Sequence, residues 1–139
     1  ALYYAMAAIL TDGDEIIVPS PYFLSYADQA ELVGGKVVEA PMIEEREGWM
    51  VDVSAIEKAI TPRTKAIIVN SPNNPTGSVI NKQTLVAIAE LAITHNLYVI
   101  TDDAYDFLVY ESGYESIASV RALWPRVICC GSYSKKYGM

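Results

Sequence analysis

Three short apolar runs, Lys65-Ala66-Ile67-Ile68-Val69, Leu97-Tyr98-Val99-Ile100-Thr101 and Val127-Ile128-Cys129-Cys130, each stop at a group of polar residues able to do chemistry. Short runs rich in β-branched side chains predict strands, and near-continuous apolarity predicts strands covered on both faces. The polar groups that follow are Asn70-Ser71-Pro72-Asn73-Asn74-Pro75-Thr76-Gly77, Asp102-Asp103-Ala104-Tyr105 and Gly131-Ser132-Tyr133-Ser134-Lys135. Open α/β sheets bind ligands just outside the carboxyl ends of their strands, so these groups are expected along one rim. The fold this predicts is α/β: a three-layer α/β/α arrangement around a mostly parallel sheet.

The remaining segments supply the alternating helices and strands that such a sheet needs. Residues 1–10 read as a helix with Leu2, Met6, Ile9 and Leu10 near one face, followed by a Thr11-Asp12-Gly13-Asp14 turn and a strand over Glu15-Ile16-Ile17-Val18. Pro19-Ser20-Pro21 predicts an extended loop, because a residue before proline is pushed out of the α region. A helix over 25–33 closes at Gly34-Gly35, and Lys36-Val37-Val38-Glu39-Ala40 alternates as an edge strand does. The acidic stretch 41–51, with Glu44, Glu45, Arg46 and Glu47, reads as a solvated surface loop held down by Trp49. Asp52 caps a short helix over 53–60, and residues 81–96 form the clearest helix, with Leu85, Ile88, Ala89 and Ala92 as its inward stripe. His95, the single histidine, falls in the last turn of that helix, a structural place for it. Further expectations are an extended piece over 107–110 and a helix over 116–123.

Charge and cysteine usage exclude several classes. A net charge of -7 argues against nucleic-acid binding, which needs clustered Lys and Arg. No apolar run approaches the roughly 18 residues of a membrane span. Cys129 and Cys130 are adjacent inside an apolar run, which suits packed thiols of a reducing, cytoplasmic setting rather than a disulfide framework or a metal site. The opening helix has no capping residue before it, and the chain stops inside the Lys135 loop. Both ends therefore read as cuts in a longer protein.

The shared rim thus collects an amide, a carboxylate, a phenol and an amine. A lysine amine forms a Schiff base with a carbonyl, and pyridoxal phosphate chemistry pairs such a lysine with a carboxylate beside the pyridine nitrogen, so that the ring accepts electrons. A phenol and an amide can donate to the ring's 3-oxygen. Alone, each motif has an ordinary structural role: Asn, Pro and Gly favour turns, and Asp caps segments after strands. Together with Lys135 they point to chemistry.

These residues, with Pro19-Ser20-Pro21-Tyr22-Phe23, resemble the fold type I pyridoxal-phosphate enzymes, and within them the class I/II aminotransferases of the bacterial aspartate aminotransferase kind. The resemblance spans essentially the whole chain. It implies that Lys135 carries the cofactor and later moves the substrate's Cα proton, and that Asp102 partners the pyridine nitrogen. Asn74 and Tyr105 would bond the 3-oxygen, Ser132 the phosphate. Phe23, or its neighbour Tyr22, would stack on the ring. Lys136 and Asp103 fall outside these matches.

The resemblance further implies amino acid and 2-oxo acid substrates, a homodimer, and a partial large domain over 1–139. An N-terminal phosphate-loop segment and a C-terminal small domain, with the arginines that bind phosphate and substrate carboxylate, would lie beyond it. Arg46, Arg63, Arg121 and Arg126 match none of those arginines. Lyases and synthases of the same fold remain an alternative, as does a fragment inactive by itself. A remote alternative is a serine acyl-enzyme using Ser132-x-x-Lys135, although its Ser-Asp-Asn and Lys-Thr-Gly companions are absent here and its serine belongs at a helix start.

Overall fold

The computed structural model describes residues 1–46, 48–110 and 114–139. Five parallel strands form one sheet: β1 (Glu15–Ser20), β2 (Lys36–Pro41), β5 (Thr64–Asn70), β6 (Tyr98–Asp102) and β7 (Val127–Cys130). Their order is β2-β1-β5-β6-β7, so the apolar β5 is central and the alternating β2 is an edge, as the sequence predicts. Side chains of successive strand residues point to opposite faces, and this divides the core in two. Ile67, Val69, Ile17 and Val99 pack with Ile56 of α3 (Val53–Ala59) and with Leu85, Ile88, Ala89 and Ala92 of α4 (Lys82–Thr94). On the other face Ala66, Ile68, Ile16, Val18 and Ile100 meet Met6 of α1 (Leu2–Ile9) and Tyr26 and Ala30 of α2 (Ser25–Leu32). The sheet thus has helices on both sides.

Local signals account for the helix ends. Asp52 accepts the Ser54 N–H at 2.9 Å, and Asn81 accepts that of Thr84 at 2.9 Å, each satisfying a donor that the helix cannot. At the end of α2, Gly34 has φ +80° and the Gly35 N–H reaches back to the Ala30 carbonyl at 2.8 Å, the left-handed closure for which glycine is suited. A Cβ on Gly35 would stand 2.9 Å from Leu10 Cδ1, so this turn also needs the small residue for packing against the end of α1.

Several segments depart from expectation. Residues 41–51 are not an irregular loop: β3 (Ile43–Glu45) pairs antiparallel with β4 (Gly48–Met50), with Met42 buried beside them and Trp49 half-buried. The charges hide the short β pattern because both strands are mainly solvent-facing. Glu47, within the same expected loop, lies outside the described residues. Pro19 and Ser20 prolong β1 along β2, whereas the β1/β5 ladder stops at Ile17 and Ile67; a residue lacking an N–H is tolerated where only one neighbour remains. Residues 107–110 form no strand, with Phe107 and Leu108 at the surface. The helix expected over 116–123 is instead two 3-10 turns, Ile117–Ser119 and Arg121–Arg126, the second containing Pro125. β7 is an edge strand, so its two cysteines differ: Cys130 is buried and Cys129 is exposed.

Candidate functional site

β5, β6 and β7 end side by side, and the three polar motifs leave from those ends. A cavity of about 440 Å³ opens there, lined by Phe23, Asn74, Asp102, Tyr105, Ser132 and Lys135 among others. These are the six residues the sequence nominates, drawn from four separate segments. The α1 amino end also borders the cavity, through Ala1, Leu2 and Tyr3.

Each side chain is placed by its local structure. Asp102, 8% exposed, is the last residue of β6 and takes two hydrogen bonds: Tyr26 Oη donates to Oδ2 at 2.6 Å, and the Ala104 N–H to Oδ1 at 3.2 Å. A carboxylate has about four acceptor positions, so roughly two stay open to the cavity. Burial and the neighbouring Asp102 both push the Tyr26 hydroxyl far above its ordinary pKa, leaving it a donor throughout the working pH range. In the Asn-Pro loop the two asparagines divide the work. Asn73 is buried, its Oδ1 accepting the Thr76 hydroxyl at 2.9 Å and the Thr76 N–H at 3.3 Å, while Asn74 borders the cavity. Gly77 at φ +74° lets this turn close with its N–H on the Asn73 carbonyl at 2.8 Å.

Phe23 and Tyr22 are also distinguished. Phe23 borders the cavity, 39% exposed, with its ring edge-on to Tyr26 at 5.6 Å and 86°. Tyr22 donates to Glu39 at 3.1 Å and lies outside the cavity wall.

Lys135 sits on α5 (Tyr133–Tyr137), a short helix where the sequence suggests only a loop, and its Nζ is 5.9 Å from the Tyr105 ring centroid. Ser132 immediately precedes α5, so it does stand at a helix start, contrary to the contrast drawn for the acyl-enzyme alternative. Its Oγ nevertheless lies 2.7 Å from Ser134 Oγ, and no hydrogen bond joins it to Lys135 among the described residues.

The neighbouring residues set aside by the sequence turn out to brace the loops. Asp103 is half-buried and accepts hydrogen bonds from Thr101 Oγ1 at 2.5 Å, Ser116 Oγ at 3.2 Å and Tyr114 Oη at 3.3 Å. Burial raises its pKa above the ordinary carboxylate value, opposed by those three hydrogen bonds. Lys136 pairs with Asp106 at 3.3 Å at the surface. The arginines stay away from the cavity: Arg121 lies over Trp124, Arg126 bonds Asn96 and Arg63 flanks Gly13. His95 is exposed at the end of α4.

Tyr26 is the functional-site residue that sequence reasoning misses. Its signal is present: it follows the aromatic pair Tyr22-Phe23 at the start of the expected helix, and a buried tyrosine needs a partner for its hydroxyl.

A family model for class I and II aminotransferases matches residues 1–139. The aromatic-amino-acid aminotransferase 2 of Thermococcus litoralis is 42% identical over 135 residues, 96% of this chain and 34% of that protein. The aspartate/prephenate aminotransferase of Thermus thermophilus is 50% identical over 111 residues, 80% of this chain and 29% of that protein. Among solved structures, the N-succinyldiaminopimelate aminotransferase of Mycobacterium tuberculosis superposes with a TM-score of 0.93 at 35% identity, covering 96% of this chain and 35% of that one. The Thermus thermophilus aspartate aminotransferase with maleate gives 0.93 at 40% identity, covering 99% and 35%. The chain spans about a third of the length of such relatives. From the sheet, the cavity at its carboxyl rim and these matches together, the chain belongs to the class I and II aminotransferase family.

Proposed function

We propose that the complete protein is a pyridoxal-phosphate-dependent aminotransferase that moves an amino group between an amino acid and a 2-oxo acid, and that residues 1–139 are part of its cofactor-binding large domain. The observation that carries this is the single cavity bordered by Lys135, Asp102, Asn74 and Tyr105. Class I and II aminotransferases depend on pyridoxal phosphate. The residues here suit that group. Its flat ring needs an apolar face, supplied by Phe23, and its ring nitrogen an acceptor, supplied by Asp102. The 3-oxygen needs donors, Asn74 and Tyr105, and the phosphate a hydroxyl, Ser132. A volume of about 440 Å³ lies within the usual range of small-molecule sites.

When bound, the cofactor supplies a reactive carbonyl and an electron sink. The chain's own residues then have distinct tasks. Lys135 Nζ would hold the group covalently, and its free amine would accept the proton from the substrate's Cα. Asp102, oriented by Tyr26 and the Ala104 N–H, accepts at the ring nitrogen. Phe23 limits the ring's motion and excludes water from one face, so that proton transfer at Cα happens in a fixed orientation.

Among the described residues no arginine lines the cavity, which suits a homodimer and further segments as the source of the remaining phosphate and carboxylate ligands. No described helix is long and apolar enough to cross a membrane. The free thiols of Cys129 and Cys130 suit a reducing compartment such as the cytoplasm. The test is an assay of the complete protein with pyridoxal phosphate, a panel of amino acids and a 2-oxo acid. Stoichiometric formation of the new amino acid is expected; elimination or condensation products without transfer would favour a lyase or synthase of this fold.

A further inference from the structure

Asn70 ends β5 with its side chain buried, and it uses both ends of its amide on main chain, one on the end of β6 and one on the Asn-Pro loop. Nδ2 donates to the Asp102 carbonyl at 2.8 Å, and Oδ1 accepts the Asn74 N–H at 2.8 Å. Asn70 and Asp102 are the last register pair of the β5/β6 ladder. Beyond them β5 turns into the Asn-Pro loop, where Pro72 and Pro75 offer no N–H, and β6 turns into Asp103-Ala104. The amide therefore replaces ladder bonds where the ladder cannot continue. Removing it strands one buried acceptor and one donor.

Asn70 does not border the cavity that holds the six candidate residues, so it can act there only through its partners. Those partners carry the side chains assigned to two different positions of one ring, Asp102 to the nitrogen and Asn74 to the 3-oxygen. We infer that Asn70 is a positioning residue that sets the spacing between Asp102 and Asn74 and so fixes the grip on both positions at once. The inference rests on the pyridoxal phosphate reading above. A site held about 1 Å too loosely by its supporting residues loses its function while its fold persists.

Two quantities measured on the complete protein test it. One is the pH midpoint of the bound cofactor's visible absorption, which responds to donors on the 3-oxygen. The other is the rise in Tm that the cofactor brings over the cofactor-free protein. Asn70→Ala is expected to move the midpoint upward by about half a unit to one unit, the direction expected of Asn74→Ala, and to shrink the rise in Tm. The Asn70→Ala/Asn74→Ala pair is expected to move the midpoint no further than the larger single change, because one residue acts through the other. A residue with a purely structural role would lower both Tm values equally and leave the midpoint at the wild-type value; that result overturns the inference. Should Asn70→Ala fail to fold, Asn70→Ser, a neutral side chain too short to span both partners, is judged by the same two outcomes. Wild-type protein that takes up no cofactor overturns the functional reading, and the positioning role with it.

Discussion

Tyr26 Oη donates to Asp102 Oδ2 at 2.6 Å, although the two residues are 76 apart in sequence. The tyrosine is fully buried on α2, and the carboxylate ends β6. One hydrogen bond thus ties the helix that follows Phe23 to the strand end that presents the acid. The placement of α2 thus bears both on Phe23, which precedes it and packs edge-on against Tyr26, and on the direction of the carboxylate.

Removing only that hydroxyl should loosen Asp102 without emptying the core. Tyr26→Phe is expected to weaken pyridoxal phosphate binding to the complete protein by about fivefold, the equivalent of one net hydrogen bond of about 1 kcal/mol. Equilibrium dialysis of the cofactor checks this. An unchanged dissociation constant would mean that Asp102 keeps its orientation without help.

The two adjacent aromatics before α2 should separate cleanly. Phe23→Ala is expected to weaken cofactor binding by roughly threefold to tenfold, since a stacked ring contributes about 0.5–1.5 kcal/mol beyond its buried area. Tyr22→Ala, which removes a ring outside the cavity wall, should weaken binding less than Phe23→Ala does. The reverse ranking in a titration of cofactor fluorescence would assign the stacking face to Tyr22.

Stability should fall with rising pH where Asp103 ionises. Its pKa is raised above 3.8 chiefly by burial, so between that value and the higher native one the folded protein holds more protons than the unfolded chain. Its contribution is complete below about pH 3.8 and is lost as pH climbs through the native value. Asp103→Asn cannot ionise. The stability advantage of wild type over this variant, read from urea midpoints, should therefore be largest at the acid end and shrink toward neutrality. An advantage that grows with pH would show that the hydrogen bonds from Thr101, Ser116 and Tyr114 outweigh burial.

What the sequence makes legible follows from where its signals are strong. The β-branched run at Ile67-Ile68-Val69 can only be a buried strand, and the stripe Leu85, Ile88, Ala89, Ala92 only a packed helix face, because period and burial agree. The six cavity residues are legible because each follows a strand end, and strand ends of a parallel sheet share a rim. Elements held by weak or distant terms are not. The β3/β4 hairpin buries little, so its charges dominate the pattern. Residues 116–123 contain helix-forming types, yet Pro125 and the Ser116 cap on the Ala118 N–H favour tight 3-10 turns. The bond from Tyr26 and the bond from Asn70 to β6 escape notice because Asp102 lies 76 and 32 residues away from them in sequence.

The account depends above all on Lys135 being the amine that takes the cofactor. The complete protein, loaded with pyridoxal phosphate, reduced with borohydride and digested, can be mapped by mass spectrometry. One phosphopyridoxyl group is expected, on the peptide containing Lys135, and none in Lys135→Ala. A label on Lys136 or any other lysine, or a loaded wild type that carries none, would contradict it.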